Sequence, residues 1–220
     1  MNRLMNSLPR LDMLRRLVLV FAWLVALCLS ALPGGARAAL TATVVAWGYN
    51  GDGEVNVPAG LTDVRAVVAA GTYSMALKRD GTVVAWGNND EGQTEVPAGL
   101  RDVVAIAGGP LHALALKSDG TVVMWGWSNG GLTAVPPGLR DVVAIAAGNI
   151  HTVALKRDGT VVAWGWNDQG QTNVPPDLRD VVAVDAGGYH TVALKRDGTV
   201  VAWGANWYGQ ADTPAAARSG

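Results

Sequence analysis

The chain has 220 residues, half of them apolar, with 28 glycines, nine tryptophans, one cysteine and a formal net charge of −1. A single cysteine excludes a disulfide framework, so hydrophobic packing must hold the fold. No stretch concentrates lysine and arginine as phosphate-backbone binding requires, so no nucleic acid is expected as partner.

Residues 1–38 read as a signal peptide. Arg3, Arg10, Arg15 and Arg16 precede the apolar run "LVLVFAWLVALCLSAL" at 17–32, and Ala36-Arg37-Ala38 offers a small-x-small cleavage site. The run is short for a span of about 20 residues, so no stable membrane anchor is expected after cleavage. Cleavage would remove the only cysteine, Cys28, and five basic and one acidic residue. Twelve basic and seventeen acidic residues remain, a net charge of −5. The mature domain, 39–220, is then secreted or periplasmic.

That domain is written in one period. Trp47, Trp86, Trp125, Trp164 and Trp203 are spaced by 39 residues, and Gly follows each. Asp63, Asp102, Asp141 and Asp180 open the unit, and an Asp-Gly pair marks its middle at Asp80-Gly81, Asp119-Gly120, Asp158-Gly159 and Asp197-Gly198. The repeats are 63–101, 102–140, 141–179 and 180–218, preceded by a partial repeat at 40–62. A period near 40 points to a solenoid or propeller.

Within each unit "DVVAIAAG", "HTVALK" and "TVVAWG" are short β-branched runs, and no helical spacing accompanies them. Asp-Gly between the second and third run predicts a two-residue hairpin turn. Pro97, Pro136 and Pro175 exclude the loop after Trp-Gly from a sheet interior. The fold class is therefore all-β: a propeller-type tandem repeat of three-stranded blades, four full blades and one extra N-terminal strand. Both faces of the strands are apolar, so each blade must be covered by neighbours.

The order Ala-Gly-x-x-His, Asp-Gly-Thr, Ala-Trp-Gly resembles the repeat of the regulator of chromosome condensation family in its short bacterial form, over 40–214. Exported members of that family include a β-lactamase inhibitor propeller of seven such blades. The resemblance implies a propeller and a protein partner. Four and a half units fall short of seven, which implies an open arc whose uncovered ends leave room for a homo-oligomer.

Equivalent positions show where variation is allowed. One variable set follows Ala-Gly or Gly-Gly: Thr72-Tyr73, Pro110-Leu111, Asn149-Ile150 and Gly188-Tyr189. The other follows Trp-Gly: "YNGDG", "NNDEG", "WSNGG", "WNDQG" and "ANWYG". An up-down-up blade puts both sets on one rim. The candidate binding residues are Tyr49, Tyr73, Asn88, Asp90, Glu91, Leu111, Trp127, Ile150, Trp166, Asp168, Tyr189, Trp207 and Tyr208. Aromatics among acids and amides suit a protein-binding surface. The periodic tryptophans Trp47, Trp86, Trp125, Trp164 and Trp203 are read as filler between blades.

His112, His151 and His190 are one repeat position in three units, about a sheet spacing apart, too far to share one zinc. Positioning a strand start by hydrogen bonding suits them better. No nucleophile elbow, phosphate loop or metalloprotease motif is present, so neither enzymatic activity nor a cofactor or metal is expected. The reading is an exported protein-binding scaffold, with inhibition of a secreted enzyme as one form. A glycan-binding propeller and a truncated copy without independent activity are the alternatives.

Overall fold

The computed structural model describes residues 43–128, 131–214 and 217. The predicted signal peptide lies outside them.

Twelve strands fall into four antiparallel sheets, each of three consecutive strands. The first blade comprises β1 (Val64–Ala70), β2 (Tyr73–Lys78) and β3 (Val83–Gly87). The second comprises β4 (Val103–Gly108), β5 (His112–Lys117) and β6 (Val122–Gly126). The third holds β7 (Val142–Ala147), β8 (His151–Lys156) and β9 (Val161–Gly165), and the fourth β10 (Val181–Ala186), β11 (His190–Lys195) and β12 (Val200–Gly204). The expected three-stranded blade is therefore formed in each complete unit. Every first strand carries a bulge after its opening valine, between Val64 and Ala66 in the first blade.

Blades stack through the apolar faces of their strands. Tyr73, Met75 and Leu77 meet Val103, Ala113, Ala115 and Trp125 of the next blade, and the second and third joints repeat this with Leu114, Leu116, Val142, Ala154 and Trp164, then Leu155, Val181, Ala193 and Trp203. Met75 and Leu77 are fully buried, each contributing about 1.5–3 kcal/mol relative to exposure.

The edge opposite the variable loops is joined by backbone bonds. Val103 N donates to Gly81 O at 3.1 Å, and Val142 N to Gly120 O at 3.1 Å. The Asp that opens each unit takes a left-handed conformation, with φ of 56–61° at Asp63, Asp102, Asp141 and Asp180. Aspartate tolerates this better than residues lacking a short polar side chain. Its carbonyl accepts from the end of the middle strand, Arg79 N to Asp63 O at 2.8 Å.

The hairpin turn differs from expectation. Lys78 N donates to Thr82 O and Gly81 N to Lys78 O, which encloses three residues, and only Gly81 has positive φ. Asp80 instead folds its carboxylate onto Thr82 N at 3.0 Å and Thr82 Oγ1 at 2.6 Å. An acceptor that fixes the turn from its own side chain removes the need for two left-handed residues.

The extra N-terminal strand is not formed. Thr43–Gly48 has no ladder partner among the described residues, and Thr43, Val44 and Val45 line an open cleft together with Val64–Val67 of β1. Its counterparts β3, β6, β9 and β12 each pair with the middle strand just before them, and no middle strand precedes Thr43 among the described residues. The partial repeat is nonetheless anchored by side chains: Val44, Val57 and Leu61 pack on Val64, Ala76 and Trp86.

Candidate functional site

The two variable sets meet by direct hydrogen bonds. Asn88 N donates to Thr72 O at 3.0 Å, Trp127 N to Leu111 O, Trp166 N to Ile150 O and Ala205 N to Tyr189 O, each of the last three at 2.8 Å. The loop that follows each Trp-Gly thus starts where the first hairpin turns, on one rim. Each bond joins one variable position to another through backbone atoms, so side chains change without disturbing it.

The loops themselves are stapled by a residue that sequence reasoning did not single out. Asn50, Asn89, Asn167 and Asn206 accept through Oδ1 from the backbone N–H five residues later. Their Nδ2 reaches the side chain six residues later. The signal was available as an asparagine three places before a loop glycine; Ser128 breaks it in the second unit.

Most candidate residues stand on this rim. Tyr49, Asp90, Glu91, Trp166, Asp168, Tyr189, Trp207 and Tyr208 are exposed, and Leu111, Trp127 and Ile150 are half-buried. Tyr189 and Trp207 form an aromatic pair with centroids 5.6 Å apart, and Tyr208 beside them is 85% exposed. Asn88 is wired rather than free. Its Nδ2 donates to Asp90 Oδ2 at 2.9 Å and its Oδ1 accepts from Gln93 Nε2 at 2.6 Å. The rim loops 48–57, 87–96, 126–135, 165–174 and 204–213 carry seven carboxylates and no lysine or arginine. Lys78, Lys117, Lys156 and Lys195 lie at the other edge, each bridged to the turn aspartate two residues on.

Tyr73 does not belong to the rim. It is buried, and its hydroxyl donates to His112 O of the next blade at 2.6 Å. Burial pushes the phenol well above its ordinary range. The register explains the error: Tyr73 stands at the histidine position, and the variable pair of the first unit is Gly71-Thr72.

Two of the three histidines, His112 and His151, bridge blades, and no cluster of metal-ligating residues occurs among the described residues. His112 Nε2 lies 3.2 Å from Thr152 Oγ1, and His151 Nε2 lies 3.0 Å from Thr191 Oγ1. Thr191 Oγ1 itself donates to Gln171 O at 2.8 Å, so it is left to accept and His151 donates from Nε2. The Nδ1 atoms of His112 and His151 are buried without a partner. Burial, then the charge of the neighbouring histidine, lowers both rings to a pKa of about 4.

The periodic tryptophans divide. Trp86, Trp125, Trp164 and Trp203 are buried, and Nε1 of Trp86, Trp125 and Trp203 donates to the loop carbonyl 32 residues earlier, at Glu54, Gln93 and Gln171. Trp164 Nε1 has no partner, and its loop has Leu132 at that place. Trp47 is 85% exposed, contrary to its reading as filler. No loop of a preceding unit covers it among the described residues.

The model of the Regulator of chromosome condensation (RCC1) repeat matches residues 64–93, 103–131, 142–171 and 181–210, more than half the chain. The chain belongs to the RCC1 repeat family. Solved structures agree. Prp20p from Saccharomyces cerevisiae aligns at 25% identity and TM-score 0.55 over 64% of this chain and 45% of its own. Human WBSCR16 aligns at 19% identity and TM-score 0.58 over 71% and 52%, and the Arabidopsis thaliana receptor kinase ACR4 ectodomain at 24% identity and TM-score 0.56 over 64% and 50%. This chain thus spans about half the length of these propellers. Comparison with curated proteins returns no match. In RCC1 terms, the four matched repeats are the four blades, and each match ends inside its rim loop.

Proposed function

We propose that this RCC1-repeat chain is an exported, non-enzymatic scaffold that binds a protein partner through its loop rim. The observation that carries the reading is the backbone bond between the two variable sets, Trp166 N to Ile150 O and its equivalents. It gathers the positions free to differ between units onto one edge, while the rest of each unit is consumed by stacking. Variable loops on a rigid repeated frame are where recognition resides. Two Prp20 structures support a protein partner: Prp20p binds Gsp1p and histones, and Kap60 binds yeast RCC1 (Prp20).

The rim's chemistry narrows the partner. Carboxylates without neighbouring lysine or arginine, set beside Trp166, Trp207 and Tyr208, suit a protein surface that presents cationic groups. Inhibition of a secreted enzyme is one outcome such binding can have. A glycan stacked on the same aromatics is the second reading, favoured by the Tyr189–Trp207 pair.

The test is capture of secreted and surface proteins on the immobilised domain, compared with a Trp166→Ala/Trp207→Ala variant and with Lys117→Ala at the opposite edge. The proposal expects a protein retained by the parent and Lys117→Ala and lost by the rim variant. Retention by the rim variant overturns it. Strong hits on a glycan array without a protein partner transfer the rim to sugars.

A further inference from the structure

We propose that the outer face of the last blade is a latent docking surface for a second copy of this chain, held shut by Asp185. The inference rests on the joints between blades and is independent of what the rim binds.

Each internal joint mates an outgoing face with an incoming one. The outgoing middle-strand residues Tyr73, Met75 and Leu77, then His112, Leu114 and Leu116, then His151, Val153 and Leu155, are all 3% exposed or less. The last blade repeats the set as His190, Val192 and Leu194, and here Leu194 is 38% exposed. The same residue types are displayed, and among the described residues no further blade lies upon them.

The first blade of another copy carries the complementary face. Val67, the counterpart of Ile106 and Ile145, is 58% exposed there, whereas Ile106 and Ile145 pack on the blades they belong beside. Ser74 Oγ donates to Glu54 O at 2.9 Å, as Thr191 Oγ1 does to Gln171 O. Ser74 therefore offers His190 the acceptor that Thr191 offers His151.

One segment must yield. Residues 43–58 of the docking copy hold the seat that 199–214 of the receiving copy would take. The two segments begin with the same hexapeptide, "TVVAWG" at 43–48 and at 199–204. Trp86 Nε1 and Ser74 Oγ, now bonded to Glu54 O, would meet the equivalent carbonyl of Gln210. Like replaces like, so the balance is decided by the face of β10 and β11.

On that face one residue disagrees with the pattern. Asp185 stands where the other units have Val68, Ala107 and Ala146, which pack at their joints. The incoming positions Val64, Val67, Ser74, Ala76 and Trp86 offer it no cation, and on its own sheet the nearby titratable group of that face is His190. Asp185 Oδ1 accepts only from the adjacent Ala186 N at 2.8 Å, and a carboxylate without a cation resists burial. An inward-pointing charge is a device that keeps open β edges from pairing, and end units of repeat arrays carry a polar outer face for the same reason.

The experiment is sedimentation velocity over a concentration series on the full chain, expressed with its own N-terminal segment, as wild type, Asp185→Ala and Asp185→Ala/Leu194→Arg. Wild type is expected to remain monomeric. Asp185→Ala is expected to associate head to tail, at least tenfold more tightly, and Leu194→Arg to return it to monomer. Asp185→Val, which copies Val68, should behave as Asp185→Ala and serves if that variant fails to fold. Monomeric Asp185→Ala and Asp185→Val variants overturn the proposal. So does wild type assembling as readily as they do, or assembly that survives Leu194→Arg.

Discussion

His151 Nε2 lies 3.0 Å from Thr191 Oγ1 of the following blade. The bond repeats between His112 and Thr152 and ties blades together at their buried faces. Burial holds both rings neutral, because a second proton on either one would sit on an Nδ1 buried without a partner.

Stability should therefore depend on pH in two windows. His112 and His151 have folded pKa values of about 4, against about 6.5 unfolded. Between those values the unfolded chain binds more protons, so stability is present above pH 6.5 and is lost as pH falls towards 4. The slope is about 1.4 kcal/mol per pH unit for each ring. Below that, Asp80, Asp119 and Asp158, held to about 2 chiefly by their threonine hydroxyls, and Asp197, held there chiefly by the Thr199 backbone N–H, protonate in turn and their turns loosen. Urea midpoints from pH 8 to 3 check this. A midpoint that is flat between pH 6.5 and 4 contradicts the neutral bridge.

Gly148→Ala should cost about 1–3 kcal/mol by overpacking. A Cβ there would strike the His151 ring and lie 2.6 Å from Gly187 O. The first unit carries Ala70 at this place and Tyr73 in place of the histidine. Gly148→Ala combined with His151→Tyr should therefore be less damaging than Gly148→Ala alone, measured by thermal melting.

Trp164→Ala should cost about 3–5 kcal/mol of unfolding free energy. Trp166→Ala and Trp47→Ala, both at exposed indoles, should each change it by less than about 0.5 kcal/mol. Chemical denaturation of the three variants distinguishes frame from rim, and only Trp166→Ala should weaken partner binding.

Asp102→Gly should be neutral within about 0.5 kcal/mol, and Asp102→Val should cost about 1–3 kcal/mol. The position has φ of 61°, which a β-branched side chain tolerates poorly. Equal melting temperatures for the two variants would show that the left-handed corner is not what fixes aspartate there.

The sequence alone determined the unit, its length, its three strands and the rim. Each of these is encoded locally: β-branched runs, Asp-Gly turns and prolines act over a few residues, and a fixed period aligns their copies. Only the tertiary structure decided which side chains a neighbouring blade covers. Trp47 and Trp164 share the local text "VVAWG" or nearly identical surroundings, yet one is exposed and the other buried. Tyr73 looks like a rim aromatic until its hydroxyl is found on His112 O. Burial here is a property of a pair of repeats, set by whether a blade lies across the face, and no single repeat carries that information.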